Sequence, residues 1–308
     1  AMSDMNPVIE TTGLVKRYGT RRALDGLTLA VPRFAVLGLI GPNGAGKTTW
    51  MMSVAGFLHI ESGQINLLGK GPFAPDVHSG RITILPQDSE LPPESRPLEL
   101  LTHYGLLQGL TRQEAARSAA AMLGEVHLGD RLNAPIRSLS HGMRKRVMIA
   151  QCFLGYPEVV LLDEPLSGLD PREVAHMRAF LTKRRGHQTL VISSHNLHDI
   201  EVLCDHVAFI EKGRAVRLAT LEALLGKAST LVYVLTAEPA DYALLTAAVP
   251  DASLAFDTAS SSLICRYDPH RASPGEINNR LLPALLPQCG VITITRGASL
   301  ETEYLKNL

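Results

Sequence analysis

The stretch Gly41-Pro42-Asn43-Gly44-Ala45-Gly46-Lys47-Thr48-Thr49 decides how the rest of this chain is read. It follows an apolar run, Phe34-Ala35-Val36-Leu37-Gly38-Leu39-Ile40, and precedes a segment of helical character from Trp50 to Leu58. A strand, a glycine-rich loop and a helix in that order, with G-x-x-x-x-G-K-T spacing, are the parts of a phosphate-binding loop. Glycines let backbone N–H groups close around a polyphosphate without Cβ clashes. A helix starting near Lys47 turns its positive dipole end to the same phosphates. In that geometry Lys47 reaches the outer phosphates and the Thr48 hydroxyl ligates Mg2+.

Downstream, the apolar strand Glu158-Val159-Val160-Leu161-Leu162-Asp163 ends in an acid and runs into Glu164-Pro165. An Asp at the carboxyl edge of a parallel sheet can hold Mg2+ beside the phosphate loop. The adjacent Glu164 is placed to orient and deprotonate water. Two merely solvated acids would be the bland alternative, and the upstream loop weighs against it.

The flanking sequence supplies a sheet for these motifs. Residues 8–18 and Leu24 to Val31 read as strands on either side of a basic turn, Thr20-Arg21-Arg22. Gly63 to Leu68 is a further short strand, and Arg81 to Gln87 a strand ending on glutamine. Pro92, Pro93 and Pro97 then break the chain, and Leu100, Leu101, Tyr104, Leu107, Ala115, Ala119 and Met122 recur at helical spacing. Thr111 with Glu114 is a capping-box pattern. This block predicts a helical insertion over about 89–155, after which strand and helix alternate again: helix Pro171 to Arg184, strand Thr189 to Ser193, helix His198 to Cys204, and a hairpin around Lys212-Gly213. The alternation indicates an α/β core with a parallel sheet.

Beyond Ser229 the rhythm changes. Thr230–Thr236, Ala240–Val249, Ser253–Asp257, Leu263–Tyr267, Pro274–Leu286 and Val291–Thr295 read as β-α-β-β-α-β, the ferredoxin-like order. Its expected core is Leu231, Tyr233, Leu263, Cys265, Ile292 and Ile294, and Ser299 to Leu308 reads as a closing helix. The chain is therefore divided into 1–227 and a small α+β domain over 228–308.

Composition excludes several classes. With 45% apolar and 19% charged residues the 308-residue chain can bury a sizeable core. Lys+Arg equals Asp+Glu, 30 against 30, so no global field attracts nucleic acid or an anionic membrane. No apolar run approaches the ~20 residues of a membrane-spanning helix, and no secretory signal is visible at the N-terminus. Cys152, Cys204, Cys265 and Cys289 show no C-x-x-C spacing and read as structural thiols of a reducing compartment.

Three further stretches complete the set: Arg137-Ser138-Leu139-Ser140-His141-Gly142-Met143-Arg144, Leu166-Ser167-Gly168-Leu169-Asp170, and Ser193-Ser194-His195. With the phosphate loop, the Gln87 loop, the acidic strand and the helical block between them, residues 1–227 resemble the nucleotide-binding domain of an ABC transporter. The resemblance implies a P-loop NTPase core with a parallel sheet, an antiparallel β subdomain and a helical subdomain, acting on ATP with Mg2+. It implies that Tyr18 stacks on adenine and that Gly41, Asn43, Gly44, Ala45, Gly46, Lys47, Thr48 and Thr49 hold the phosphates. Thr48, Gln87 and Asp163 would surround the metal, and Glu164, His195 and Gln87 would carry catalysis. Ser140 and Gly142 would reach the ATP of a partner subunit, and Asp170 would make contact across the dimer.

One departure stands out. The family's Leu-Ser-Gly-Gly-Gln signature reads Leu139-Ser140-His141-Gly142-Met143 here. Similar Ser-His-Gly-Met variants occur among ATPases of ABC-2-type exporters, and Ala298 to Leu305 is similar to the amphipathic ending of such subunits. His141 is expected near the opposing nucleotide, and Arg144-Lys145-Arg146 is expected to be a solvated first helical turn. The resemblance implies an ATP-hydrolysing homodimer that powers separately encoded membrane permease subunits, peripheral on the cytoplasmic face of the plasma membrane. The competing expectation is a soluble ABC-type ATPase acting on nucleic acid or ribosomes; the single core, short helical block and zero net charge favour the transporter.

Overall fold

Two long strands open the chain, β1 (Pro7–Tyr18) and β2 (Arg21–Pro32), paired antiparallel around the tight turn at Gly19-Thr20. Next come β3 (Val36–Ile40), α1 (Lys47–Val54) and β4 (Ser62–Leu67), which pairs with β1 to make a three-stranded sheet, β2-β1-β4. After the single turn α2 (Pro75–His78), β5 (Ile82–Leu85) leads into three helices, α3 (Pro97–Leu107), α4 (Arg112–Glu125) and α5 (His141–Gln151). β6 (Val159–Asp163), α6 (Pro171–Thr182), β7 (Thr189–Ser193), α7 (Leu197–Leu203), β8 (His206–Glu211) and β9 (Arg214–Thr220) complete this part. This computed structural model describes residues 7–225, 229–268 and 271–296.

The second sheet runs β5-β6-β7-β3-β8-β9, with β5 through β8 parallel. β3, β6 and β7 are buried at every position, as parallel strands covered on both faces must be. That is why Val159-Val160-Leu161-Leu162 shows no alternation. Polar residues enter these strands only at their ends, and the C-terminal ends gather the chemistry. Trp50 of α1 is fully buried, and its indole donates to Thr11 Oγ1 at 3.1 Å, tying the helix to the antiparallel sheet. The helical block is opened by the capping box that Thr111 and Glu114 announce. The helix after the loop begins at Lys47, as expected, with Gly46 as its N-cap, and it ends at Val54, short of the Leu58 read from sequence.

Contacts divide the chain into two compact units, 1–219 and 220–308, upstream of the 227/228 division read from sequence. The short helix α8 (Leu221–Leu225) groups with the second unit. There follow β10 (Ser229–Leu235), α9 (Tyr242–Ala248), β11 (Ala252–Asp257), β12 (Ser262–Tyr267), α10 (Pro274–Leu285) and β13 (Val291–Arg296). The strands form an antiparallel sheet in the order β11-β12-β10-β13. Its core contains Leu231, Tyr233, Leu263 and Cys265 against Leu245, Ile277, Leu281 and Leu285 of the two helices.

Two expectations fail. Ile292 is 65% exposed, not core, because a register irregularity in β13 pairs Leu235 with Val291 and Tyr233 with Ile294, skipping Ile292. Arg144-Lys145-Arg146 is not a solvated turn: Lys145 and Arg146 are 6% and 7% exposed. α5 packs against α3 and α4, and the Arg146 guanidinium donates to the carbonyls of Val126 and His127 at 2.8 and 3.3 Å. The closing helix expected over 299–308 lies outside the described residues.

Candidate functional site

The glycine-rich loop is clamped from two sides. Gly213 donates its N–H to Ala45 O at 2.8 Å and accepts from the Asp25 N–H at 2.9 Å, so the β8–β9 turn and β2 hold the loop from behind. Gly46 has φ 114°, and a Cβ there would stand 2.6 Å from the Ala23 carbonyl. Both conditions require glycine. With the helix beginning at this residue, the first N–H groups of α1 face outward, the arrangement that receives an anion. Lys47, 8% exposed, donates from Nζ to Gly41 O at 2.6 Å and Pro42 O at 3.3 Å. Burial pulls its pKa below the ordinary lysine value, with the Glu164 and Asp163 carboxylates opposing.

Opposite the loop, the ends of β6 and β7 pair Asp163 with Ser193 in register. Thr48 Oγ1 donates to Asp163 Oδ2 at 2.6 Å, while the Ser193 hydroxyl donates to Asp163 Oδ1. The Ser193 oxygen also accepts from the Glu164 N–H at 2.9 Å. Glu164 itself sits at φ 50°, a region that L residues avoid. Its Oε2 lies 2.8 Å from His195 Nδ1. The Glu164 side chain is largely covered, whereas His195 stands out into solvent.

Lys47, Thr48, Asp163, Glu164 and His195 line one cleft of about 750 Å³, which also takes in Tyr18, Arg21, Asn43, Gly44, Gly46, Thr49, Gln87 and Ser167. Tyr18 is half-exposed, with Lys16 Nζ 5.6 Å from its ring centroid. Gln87 reaches the cleft from the loop after β5. Gly41 and Ala45 shape the loop without facing the cleft. The donor set suits Mg2+: a hydroxyl and a carboxylate oxygen meet at the loop's edge, leaving most coordination to water and phosphate oxygens. The left-handed glycines and the start of α1 likewise suit a polyphosphate.

Ser140, Gly142 and Asp170 are not among the residues of this cleft. Ser140 caps α5, accepting from the Met143 N–H at 3.1 Å, and Asp170 caps α6, accepting from the N–H groups of Arg172 and Glu173, both at 2.9 Å. His141 lies against Gly168, whose absent Cβ would be 3.1 Å from Nε2. Gly142 leaves room for the Glu173 carboxylate, which in turn pairs with Arg146 at 3.4 Å. A second hollow of about 450 Å³ lies between the core strand β5 and the helical block, lined by Phe57, Phe73, Tyr104, Leu107, Glu90 and Gln151 among others.

Sequence reading missed three residues in or behind the site. Arg21, seen only as part of a basic turn, donates to the Gly44 carbonyl at 3.0 Å. Lys145 is buried within the field of Glu164, Asp163 and Asp88, and burial lowers its pKa against their pull. Ser193 is the third; its signal was a hydroxyl closing an otherwise apolar strand beside the strand of Asp163.

A family profile described as "ABC transporter" matches residues 24–167. An uncharacterized ABC transporter ATP-binding protein of Methanocaldococcus jannaschii is 31% identical over 231 residues, 74% of this chain and 84% of that protein. The chain belongs to the ABC transporter ATP-binding family. Among other relatives of this ABC ATP-binding chain, the Nod factor export ATP-binding protein I of Burkholderia orbicola is 33% identical over 220 residues, 70% of this chain and 72% of that one. In architecture it is similar to a dimeric ATP-binding cassette solved in a post-hydrolysis state with ADP and phosphate, at TM-score 0.63 and 20% identity, over 69% of this chain and 98% of that one. The ABC fold is therefore common to sequence and structure, and no helix among the described residues is long and apolar enough to cross a membrane.

Proposed function

We propose that this chain is the Mg2+-dependent ATP-hydrolysing subunit of an exporter, working as a homodimer on separate membrane permease subunits. The observation that carries the reading is the unbroken chain of contacts from Thr48 through Asp163 and Ser193 to Glu164 and His195, set against the phosphate loop. Lys47 and the loop N–H groups bind the phosphates, and Tyr18 offers a stacking face for the base. Mg2+, held at Thr48 and Asp163 with Gln87 nearby, would offset phosphate charge. Glu164 accepts the proton of the attacking water, and His195 holds Oε2 so that Oε1 is free for that task.

Dimerisation is supported by the placement of Ser140, Gly142 and Asp170 outside the chain's own cleft, on helix N-termini. The dimeric cassette of similar fold lends it further support. Export is supported by the relative named for Nod factor export and by the Ser-His-Gly-Met signature. The apolar hollow beside β5, with Phe57 and Leu107 strongly exposed at its rim, offers a seat for a permease segment. The site of action is then the cytoplasmic face of the plasma membrane. Zero formal net charge gives the nucleic-acid alternative no support. Residues 228–308 are read as a ferredoxin-like accessory domain.

Two variants test the reading. Lys47→Ala should weaken nucleotide binding, whereas Glu164→Gln should bind ATP and retain it while turnover falls by about 10²- to 10⁴-fold. Retention is measured by filter binding and turnover by phosphate release. A Glu164→Gln protein that hydrolyses ATP at the wild-type rate removes the assigned base.

A further inference from the structure

Naming Glu164 as the base leaves the question of what aims it. We propose that Ser193 is a positioning residue that locks both Asp163 and Glu164 through one hydroxyl; the inference rests on the hydrolytic reading above. Ser193 is fully buried at the end of β7, after Leu190-Val191-Ile192, and stands in register with Asp163. A buried serine that only satisfied itself would need a single carbonyl within reach. This one uses both capacities of its hydroxyl at the site. It donates to Asp163 Oδ1 and accepts from the Glu164 N–H at 2.9 Å.

The consequences follow residue by residue. Asp163 has one oxygen on Ser193 and the other on Thr48, so its carboxylate plane is set from both sides. Glu164 is held at φ 50°, a backbone conformation that persists only where surroundings over-determine it. The Ser193 contact is the side-chain bond that restrains its N–H. Released from it, Glu164 relaxes toward negative φ, and the carboxylate leaves its place 2.8 Å from His195 Nδ1. The Ser193→Thr change keeps a hydroxyl that can make both hydrogen bonds, whereas Ser193→Ala and Ser193→Cys lose them: alanine has no polar side-chain atom, and a thiol is a weak donor and acceptor.

The experiment uses the full chain with Ser193→Ala, Ser193→Cys, Ser193→Thr, Glu164→Gln and the double variant Ser193→Ala/Glu164→Gln. Four quantities are read: kcat, KM for ATP, the Mg2+ concentration that half-saturates binding of a fluorescent ATP analogue, and the thermal midpoint. For Ser193→Ala and Ser193→Cys, kcat should fall at least about tenfold with KM changed less than about threefold, the signature of lost transition-state positioning. The Mg2+ requirement for analogue binding should rise, because Asp163 is no longer held. Ser193→Thr should recover most of kcat, and the double variant should be no slower than Glu164→Gln alone.

Wild-type kcat in a folded Ser193→Cys protein overturns the proposal. So does a parallel loss of kcat, analogue binding and thermal midpoint that threonine does not rescue, which would make the hydroxyl a packing element only. If alanine prevents folding, the cysteine and threonine variants decide. A Glu164→Gln protein with wild-type turnover defeats the base assignment; an inactive Glu164→Gln beside a fully active Ser193→Cys defeats only the role of Ser193.

Discussion

The two sheets that carry most of this chain's strands handle polar residues in opposite ways. In the parallel sheet of the first unit, β3, β6 and β7 are buried on both faces, and polar side chains collect at the strand ends. In the antiparallel sheet of the second unit, β11 alternates between half-buried and exposed positions throughout, with one face on the helices. Its side-chain bonds tie strand to helix or cap a helix: Tyr233 OH donates to Asn278 of α10 at 2.6 Å, and Ser273 with Glu276 caps α10. Parallel strands send all their C-termini to one edge, so residues far apart in sequence converge there. Antiparallel strands alternate direction and disperse their ends. The difference teaches why the chemistry gathers in one unit.

The contrast can be broken most forcefully at Gly46. Gly46→Ala adds a Cβ 2.6 Å from the Ala23 carbonyl at φ 114°. Nucleotide binding should be abolished in a calorimetric titration, while the far-UV signature of the second unit persists. In the second unit Leu281 is fully buried, and Leu281→Ala should cost about 2–5 kcal/mol by chemical denaturation. ATP affinity should stay within twofold if the units are energetically separate; a tenfold loss would show that they are not. A chain ending at Leu225 sharpens the same point and should bind ATP as the full chain does.

The smallest effect concerns charge. Glu158 pairs with Arg81 at 2.6 Å and Arg33 at 3.0 Å. Burial works against its charged form, but these two guanidinium groups outweigh it and bring the pKa below the ordinary 4.5. A lowered folded-state pKa gives stability that is present above the unfolded value and lost as pH falls through the folded one. Glu158→Gln should therefore cost no more than about 1 kcal/mol at neutral pH. The gap from wild type, read as denaturation midpoints, should close as pH drops below 4.5.

Much of the fold was legible because its signals are local. The Thr111–Glu114 capping box, the uniform apolarity of Val159–Leu162 and the turn at Lys212-Gly213 each occupy a few consecutive residues. Ile292 was misread since strict alternation cannot reveal a register irregularity, which depends on the partner strand. Lys145 and Arg146 looked solvated because three basic residues in a row carry no sign of the tertiary packing that covers two of them.

By itself, then, the sequence determined the phosphate loop, the acidic strand and the order of elements, since backbone conformation over short spans follows from residue type and spacing. Only the tertiary structure decided that Ser193 stands beside Asp163, that Arg21 reaches Gly44, and that Glu164 adopts a left-handed backbone. Those facts depend on which strands become neighbours and in what register. That choice is made by burial summed over the whole sheet, and no short stretch of residues encodes it.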